Sequence, residues 1–137
     1  MIHYDTHKGL SDLPQIVKNA VADLEPRTAE FDSIAVQGVS GCIIGAPVAL
    51  ALDKPLVVVR KDSDMIRPCH HISTVENAEN AGQRILFLDD YVGEGKTLRD
   101  VTRKLWQHTR GSLAARYEFL YRDYLTGRRT AETRWAA

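Results

Sequence analysis

The sequence predicts an α/β fold, a single domain over residues 1–137 with a mainly parallel twisted sheet flanked by helices. Three observations predict it. First, Ser33-Ile34-Ala35-Val36, Leu56-Val57-Val58-Val59 and Ile85-Leu86-Phe87-Leu88 are short apolar runs that do not alternate. Parallel strands covered on both faces read this way. Second, helical segments separate or follow these runs, as crossovers between parallel strands require. Third, 137 residues with 44% hydrophobic and 26% charged side chains suit one ordinary globular core.

The elements follow in chain order. Ser11-Asp12-Leu13-Pro14 has a capping residue and a first-turn proline, the signature of a helix start. Leu13, Ile16, Val17, Ala20, Val21 and Leu24 recur at helical spacing, and Pro26 ends that helix. Residues 33–36 form the first strand. Cys42 to Leu52, rich in Ala, Ile and Leu, reads as a buried crossover helix. Residues 56–59 and 85–88 form the second and third strands. Thr97 to His108 is the next helix, with Leu98, Val101, Leu105 and Trp106 as candidates for its buried side. Ala114 to Tyr124 reads as a fourth strand. There is no internal repeat and no Gly/Ser/Pro-rich linker.

Composition narrows the function. No apolar run approaches the ~20 residues that a membrane span needs, so no membrane partner is expected. Residues 1–5, Met-Ile-His-Tyr-Asp, lack the regions of a signal peptide, and two cysteines cannot make a disulfide framework. A reducing cytoplasm is the expected location. Eighteen basic and eighteen acidic residues balance, which argues against non-specific nucleic-acid binding. The balance hides a split: residues 1–98 hold 9 basic and 14 acidic side chains, and residues 99–137 hold 9 and 4. That basic third leaves RNA binding as a third reading. Cys69-His70-His71 invites a metal, but three or four ligands at defined spacing are needed, and a polar loop is the plainer reading.

In parallel sheets, ligands bind at the carboxyl ends of the strands. That rule selects Gly38-Val39-Ser40-Gly41, Arg60-Lys61, and the stretch from Asp89 onward. The last is the most informative. Ile85 to Leu88 runs straight into Asp89 and Asp90, which belong at the exposed end of a strand because its interior cannot hold them unpaired. Tyr91-Val92-Gly93-Glu94-Gly95-Lys96-Thr97 then opens a helix. Backbone N–H groups at such a helix start form an anion site, and carboxylates accept from hydroxyls. A ligand with both a diol and a phosphate fits. A Walker A loop would need glycine where Asp90 stands, and Gly38 to Gly45 is not G-x-G-x-x-G.

Residues 85–98, ILFLDDYVGEGKTL, resemble the phosphoribosyl-pyrophosphate (PRPP) motif of the type I phosphoribosyltransferases. Gly38 to Gly41 is similar to the family's pyrophosphate loop, and Leu56 to Lys61 to its next strand with a basic end. The resemblance covers about residues 32–110. It implies the family's fold with a small acceptor-binding hood. Asp89 and Asp90 would hold the ribose hydroxyls. The segment Tyr91, Val92, Gly93, Glu94, Gly95, Lys96 and Thr97 would line the ribose and wrap the 5′-phosphate. Val39, Ser40, Gly41, Arg60 and Lys61 would meet pyrophosphate, often across a non-proline cis peptide in relatives. Mg²⁺ would ride on PRPP, with no firm protein ligand.

The activity implied is transfer of 5-phosphoribosyl from PRPP to a nucleobase-like acceptor, with release of pyrophosphate, in nucleotide metabolism or salvage. The alternative is a non-catalytic module that binds PRPP or a nucleoside 5′-monophosphate. A homodimer is the assembly common in the family. Three departures bear on the choice. Gly93 stands where purine-salvage members carry an acidic base, and Glu94 stands where they carry a hydroxyl. Glu94 is either turned outward, paired with Lys96 or an arginine, or a displaced base, so Asp89, Asp90 and Glu94 are the catalytic candidates. The region from Lys61 to Arg84 is short for a lid. The hood is confined to residues 1–10 and 125–137, where Trp135 would either stack on a base or pack the sheet end. Arg122, or Arg128 with Arg129, is expected near the ligand, and Arg99 and Arg103 at the surface or an interface.

Overall fold

The computed structural model of the chain describes residues 12–65, 73–90, 96–119 and 131–135. Three α-helices are present among them: α1 (Leu13–Leu24), α2 (Gly38–Ala51) and α3 (Lys96–His108). Six strands form one sheet: β1 (Ser33–Val36), β2 (Leu56–Val59), β3 (Val75–Glu76), β4 (Arg84–Asp89), β5 (Ser112–Glu118) and β6 (Glu132–Trp135). Their order is β3-β2-β1-β4-β5-β6. The four central strands are parallel, and the two edges, β3 and β6, run antiparallel to their neighbours. The mainly parallel α/β fold is therefore present, and the antiparallel edges are additions to it.

Strand alternation sorts the side chains between two faces. On one face Ile34, Val36, Leu86, Leu88 and Tyr117 pack against Ala20 and Leu24 of α1 and Ile44 and Val48 of α2. On the other Ala35, Val57, Val59, Ile85 and Phe87 pack against Val101 and Leu105 of α3. Both faces are covered, so the central runs carry no polar alternation. Tyr117 reaches through the first layer to donate to Asp23 Oδ2 at 2.7 Å. Burial, then this bond, holds its phenol ionisation far above the ordinary value.

Several boundaries differ from the sequence-based expectation. Asp12 occupies the N-cap of α1, but its side chain makes no capping bond. Pro26 does not end the helical path; it sits in a 3₁₀ segment, Glu25–Glu30, that continues from α1. Proline is tolerated in a first turn, where its missing N–H is not needed. Helix α2 begins at Gly38, four residues before the expected Cys42. Strand β5 ends at Glu118 rather than near Tyr124. Trp106 is 74% exposed and is not part of the α3 core; Lys104 is buried on that side instead. Trp135 packs the sheet: Arg27 lies 3.6 Å from its ring centre, and Phe31 lies beside it. It pairs with Ala115, away from the carboxyl ends of the central strands, so the base-stacking role does not hold.

Gly45 sets how closely α2 approaches β1. A methyl group there would overlap Val36 Cγ1, which is fully buried. Gly45→Ala gains up to ~1 kcal/mol in helix propensity but overpacks the interface by about 1–3 kcal/mol. We expect a net loss of stability, read as a lower urea midpoint at unchanged m-value. A midpoint equal to wild type would contradict this packing.

Candidate functional site

The site is assembled where β1, β2 and β4 end side by side. Their registers fix this: Val36 lies against Val58, and Ala35 against Phe87. Gln37 to Gly41, Arg60-Lys61 and Asp89-Asp90 are therefore brought to one edge of the sheet, as the sequence predicts.

The turn after β1 is tight. Gly38 has φ +80°, a conformation that favours glycine, and a methyl group there would lie 3.3 Å from Lys61 Nζ. So the Lys61 ammonium rests over the start of α2. Val39, Ser40 and Gly41 form the first turn of that helix rather than a loop. The change of element preserves the chemistry, because first-turn N–H groups lack partners inside the helix and face outward with the positive end of the dipole. Val39 is 72% exposed there. Every peptide among the described residues is trans, so the cis bond found in relatives does not occur in this turn.

Arg60 and Lys61 divide their work. The Arg60 guanidinium bonds Glu76 of the edge strand β3 at 3.1 Å, and its Nε is buried without a partner among the described atoms. Arg60 is thus held toward the sheet edge, while Lys61 is the cation set against the Gly38 turn.

The acidic pair is not at an exposed strand end, as expected, but largely enclosed. Asp89 is the last residue of β4 and only 5% exposed; Asp90 is half-buried. The Asp90 N–H donates to Asp89 Oδ1 at 2.9 Å, and the Asp89 carbonyl accepts from Phe119 N at 3.1 Å. Burial, and then the charge of Asp90, push the Asp89 carboxyl up to about 8; Lys61 offsets part of this. At neutral pH Asp89 is therefore mostly protonated, able to donate as well as accept. Such a strongly shifted group at a strand end is a mark of a functional site.

Lys96 and Thr97 open α3, exposed and half-buried respectively. Tyr91, Val92, Gly93, Glu94 and Gly95 lie outside the described residues, as do Cys69, His70, His71, Arg122, Arg128 and Arg129. Arg99 and Arg103 are on the exposed side of α3, as expected, and Arg103 pairs with Asp100 at 2.7 Å. No group of three metal-ligating side chains occurs among the described residues, and no helix among them is long and apolar enough to cross a membrane.

Sequence reading missed a second polar cluster just behind these ends. Lys104 of α3 is buried. It donates to the Arg60 carbonyl at 2.8 Å and pairs with Asp62 and Asp100, each at 2.9 Å. The Gln37 amide, also buried, donates to Asp100 Oδ2 at 3.2 Å. The available signal was a lysine inside an apolar stripe, four residues after an aspartate.

No family model matches the chain. It is 30% identical over 94 residues to an orotate phosphoribosyltransferase of Methanospirillum hungatei, covering 69% of this chain and 52% of the relative. It is 32% identical over 83 residues to an adenine phosphoribosyltransferase of Agathobacter rectalis, covering 51% and 47%. The chain thus spans about half the length of these curated relatives. Among solved structures it is similar to an adenine phosphoribosyltransferase of Thermoanaerobacter pseudethanolicus. The TM-score is 0.59 at 25% identity, covering 80% of this chain and 67% of that one.

Proposed function

Because the chain belongs to the type I phosphoribosyltransferase family, we propose that its strand ends bind PRPP and support phosphoribosyl transfer to a nucleobase. The observation that carries this reading is the pairing of opposite chemistries across adjacent strand ends. The Asp89-Asp90 pair suits two vicinal hydroxyls, and Lys61 over the Gly38 turn suits a diphosphate. Val39, Ser40 and Gly41 offer first-turn N–H groups to the same diphosphate. Tyr91, Val92, Gly93, Glu94, Gly95, Lys96 and Thr97 would take the ribose and its 5′-phosphate.

Magnesium fits this donor set. Two adjacent carboxylates, one with its ionisation resisted by the other, are hard oxygen donors whose repulsion a divalent cation relieves. Asp89 and Asp90 would face a Mg²⁺ carried on the pyrophosphate. When bound, it neutralises leaving-group charge.

The chain's own residues act by position. An acceptor nitrogen bonds to C1 of the ribose as the C1–O bond to pyrophosphate breaks, and the electron pair leaves with pyrophosphate. Lys61 and the α2 N–H groups stabilise that charge as it grows. Asp89 and Asp90 orient the ring by its hydroxyls. Glu94, the displaced-base candidate, would take the acceptor's proton.

The names of the relatives make adenine and orotate the first acceptors to try. A homodimer in the cytoplasm and one domain over residues 1–137 complete the proposal. The rival is a PRPP- or nucleotide-binding module without turnover, favoured by Gly93 and Glu94 in the motif. Pyrophosphate release from Mg-PRPP, measured with a panel of bases including adenine and orotate, separates the two. The transferase reading expects base-dependent release, and saturable binding without release would favour the module.

A further inference from the structure

Lys104 has no place in the family motif, yet its contacts surround the diphosphate half of the site. It holds the Arg60 carbonyl on one side of Lys61 and the Asp62 carboxylate on the other. Through Asp100 it also reaches Gln37, the residue before Gly38. Lys61 Nζ and the Gly38 turn are the two groups in close approach. Their backbones are thus tied to one ammonium.

The burial of that ammonium is the second observation. The Lys104 side chain is 4% exposed, and a lysine is rarely so enclosed unless paired. Burial works against its charge, but the bonds from Asp62 and Asp100 outweigh it and hold its pKa above the ordinary lysine value. For Asp100 too, burial is outweighed, here by the bonds from Lys104, Gln37 and Arg103, so its carboxyl stays below the usual range. The cluster is charged and fully engaged at neutral pH. An apolar residue would fill the same stripe of α3, so simple packing does not call for a lysine.

We propose that Lys104 is a positioning residue: it aligns Lys61 with the Gly38 turn for a diphosphate, without touching the ligand. The proposal rests on the PRPP reading of the site. Its partners all lie at the exits of β1 and β2 or on α3 itself. Among its described contacts none is to Asp89 or Asp90. The diol-binding half of the site is therefore independent of it.

The test titrates two probes separately into the full chain: Mg-pyrophosphate and ribose 5-phosphate. Lys104→Met removes the ammonium and keeps the volume. The expected result is about a tenfold or greater loss of pyrophosphate affinity, the scale of a lost charge-assisted bond, with ribose 5-phosphate affinity within about twofold of wild type. Gln37→Leu cuts only the β1 branch and should show the same one-sided loss, smaller in size. It carries the test if Lys104→Met gives no cooperative melt. Equal loss of both probes, or loss of neither, in variants of a wild type that binds both would overturn the role of Lys104 alone. A wild type that binds neither probe would overturn the reading of the site and this proposal with it.

Discussion

Replacing Asp89 and Asp90 together by asparagine is expected to abolish measurable PRPP binding while leaving the fold intact. The pair lies at the end of β4, beyond the four buried positions Ile85 to Leu88 that hold the strand in the core. Asparagine keeps shape and size, and the Asp90 N–H to Asp89 Oδ1 bond can be kept by the amide oxygen. What is lost is two strong acceptors for ribose hydroxyls and the attraction for a Mg²⁺ carried by the ligand. Each hydrogen bond to a charged group is worth ~1.5–3 kcal/mol, so losing several removes two or more orders of magnitude in affinity. Calorimetry on the folded double variant provides the check; wild-type affinity there would remove the acidic pair from the site.

The second large effect is a stability that falls with rising pH through neutrality. Asp89 is raised from an ordinary 3.8 to about 8 in the folded chain, first by burial and then by Asp90. Between these values the folded state holds a proton that the unfolded state has released. Stability contributed by that proton is full below about pH 4, declines as pH rises, and is gone above about pH 8. The slope approaches ~1.4 kcal/mol per pH unit at its steepest. The carboxyls held low, Asp32 by Arg84 and Asp100 by its bonds to Lys104 and Gln37, act in the opposite sense, below the ordinary carboxylate range. Asp89→Asn should flatten the profile between pH 5 and 8 and make the variant the more stable protein at pH 8. Denaturant midpoints at four or five pH values measure this, and parallel profiles for variant and wild type would contradict a buried, protonated Asp89.

How much of this was legible in the sequence differs by region. β1 and β2 were read to the residue because a strand covered on both faces leaves an uninterrupted apolar run. β3 and β6 were not read, because Val75-Glu76 is two residues long and Glu132 to Trp135 alternates polar and apolar on a half-exposed edge. The start of α2 was placed late because Gly38 and Gly41 look like loop residues. Gly38 is needed for a positive φ, and Gly41 sits where α2 closes on Val36. Of the site, the strand-end rule located all three segments. It did not show that Asp89 is enclosed, because enclosure comes from neighbours on other strands, nor that Arg60 turns to Glu76, since β3 was unseen. Lys104 was missed for the same reason: its partners are 42 and 44 residues away in the chain.

The central claim is that one site at the ends of β1, β2 and β4 holds both a ribose phosphate and a diphosphate. Titration of PRPP with Mg²⁺ into the wild-type chain, repeated with ribose 5-phosphate and with pyrophosphate as competitors, tests it most directly. The account predicts saturable binding at one site per chain, displaced by either competitor alone. Absence of binding, or binding that neither competitor displaces, would contradict it.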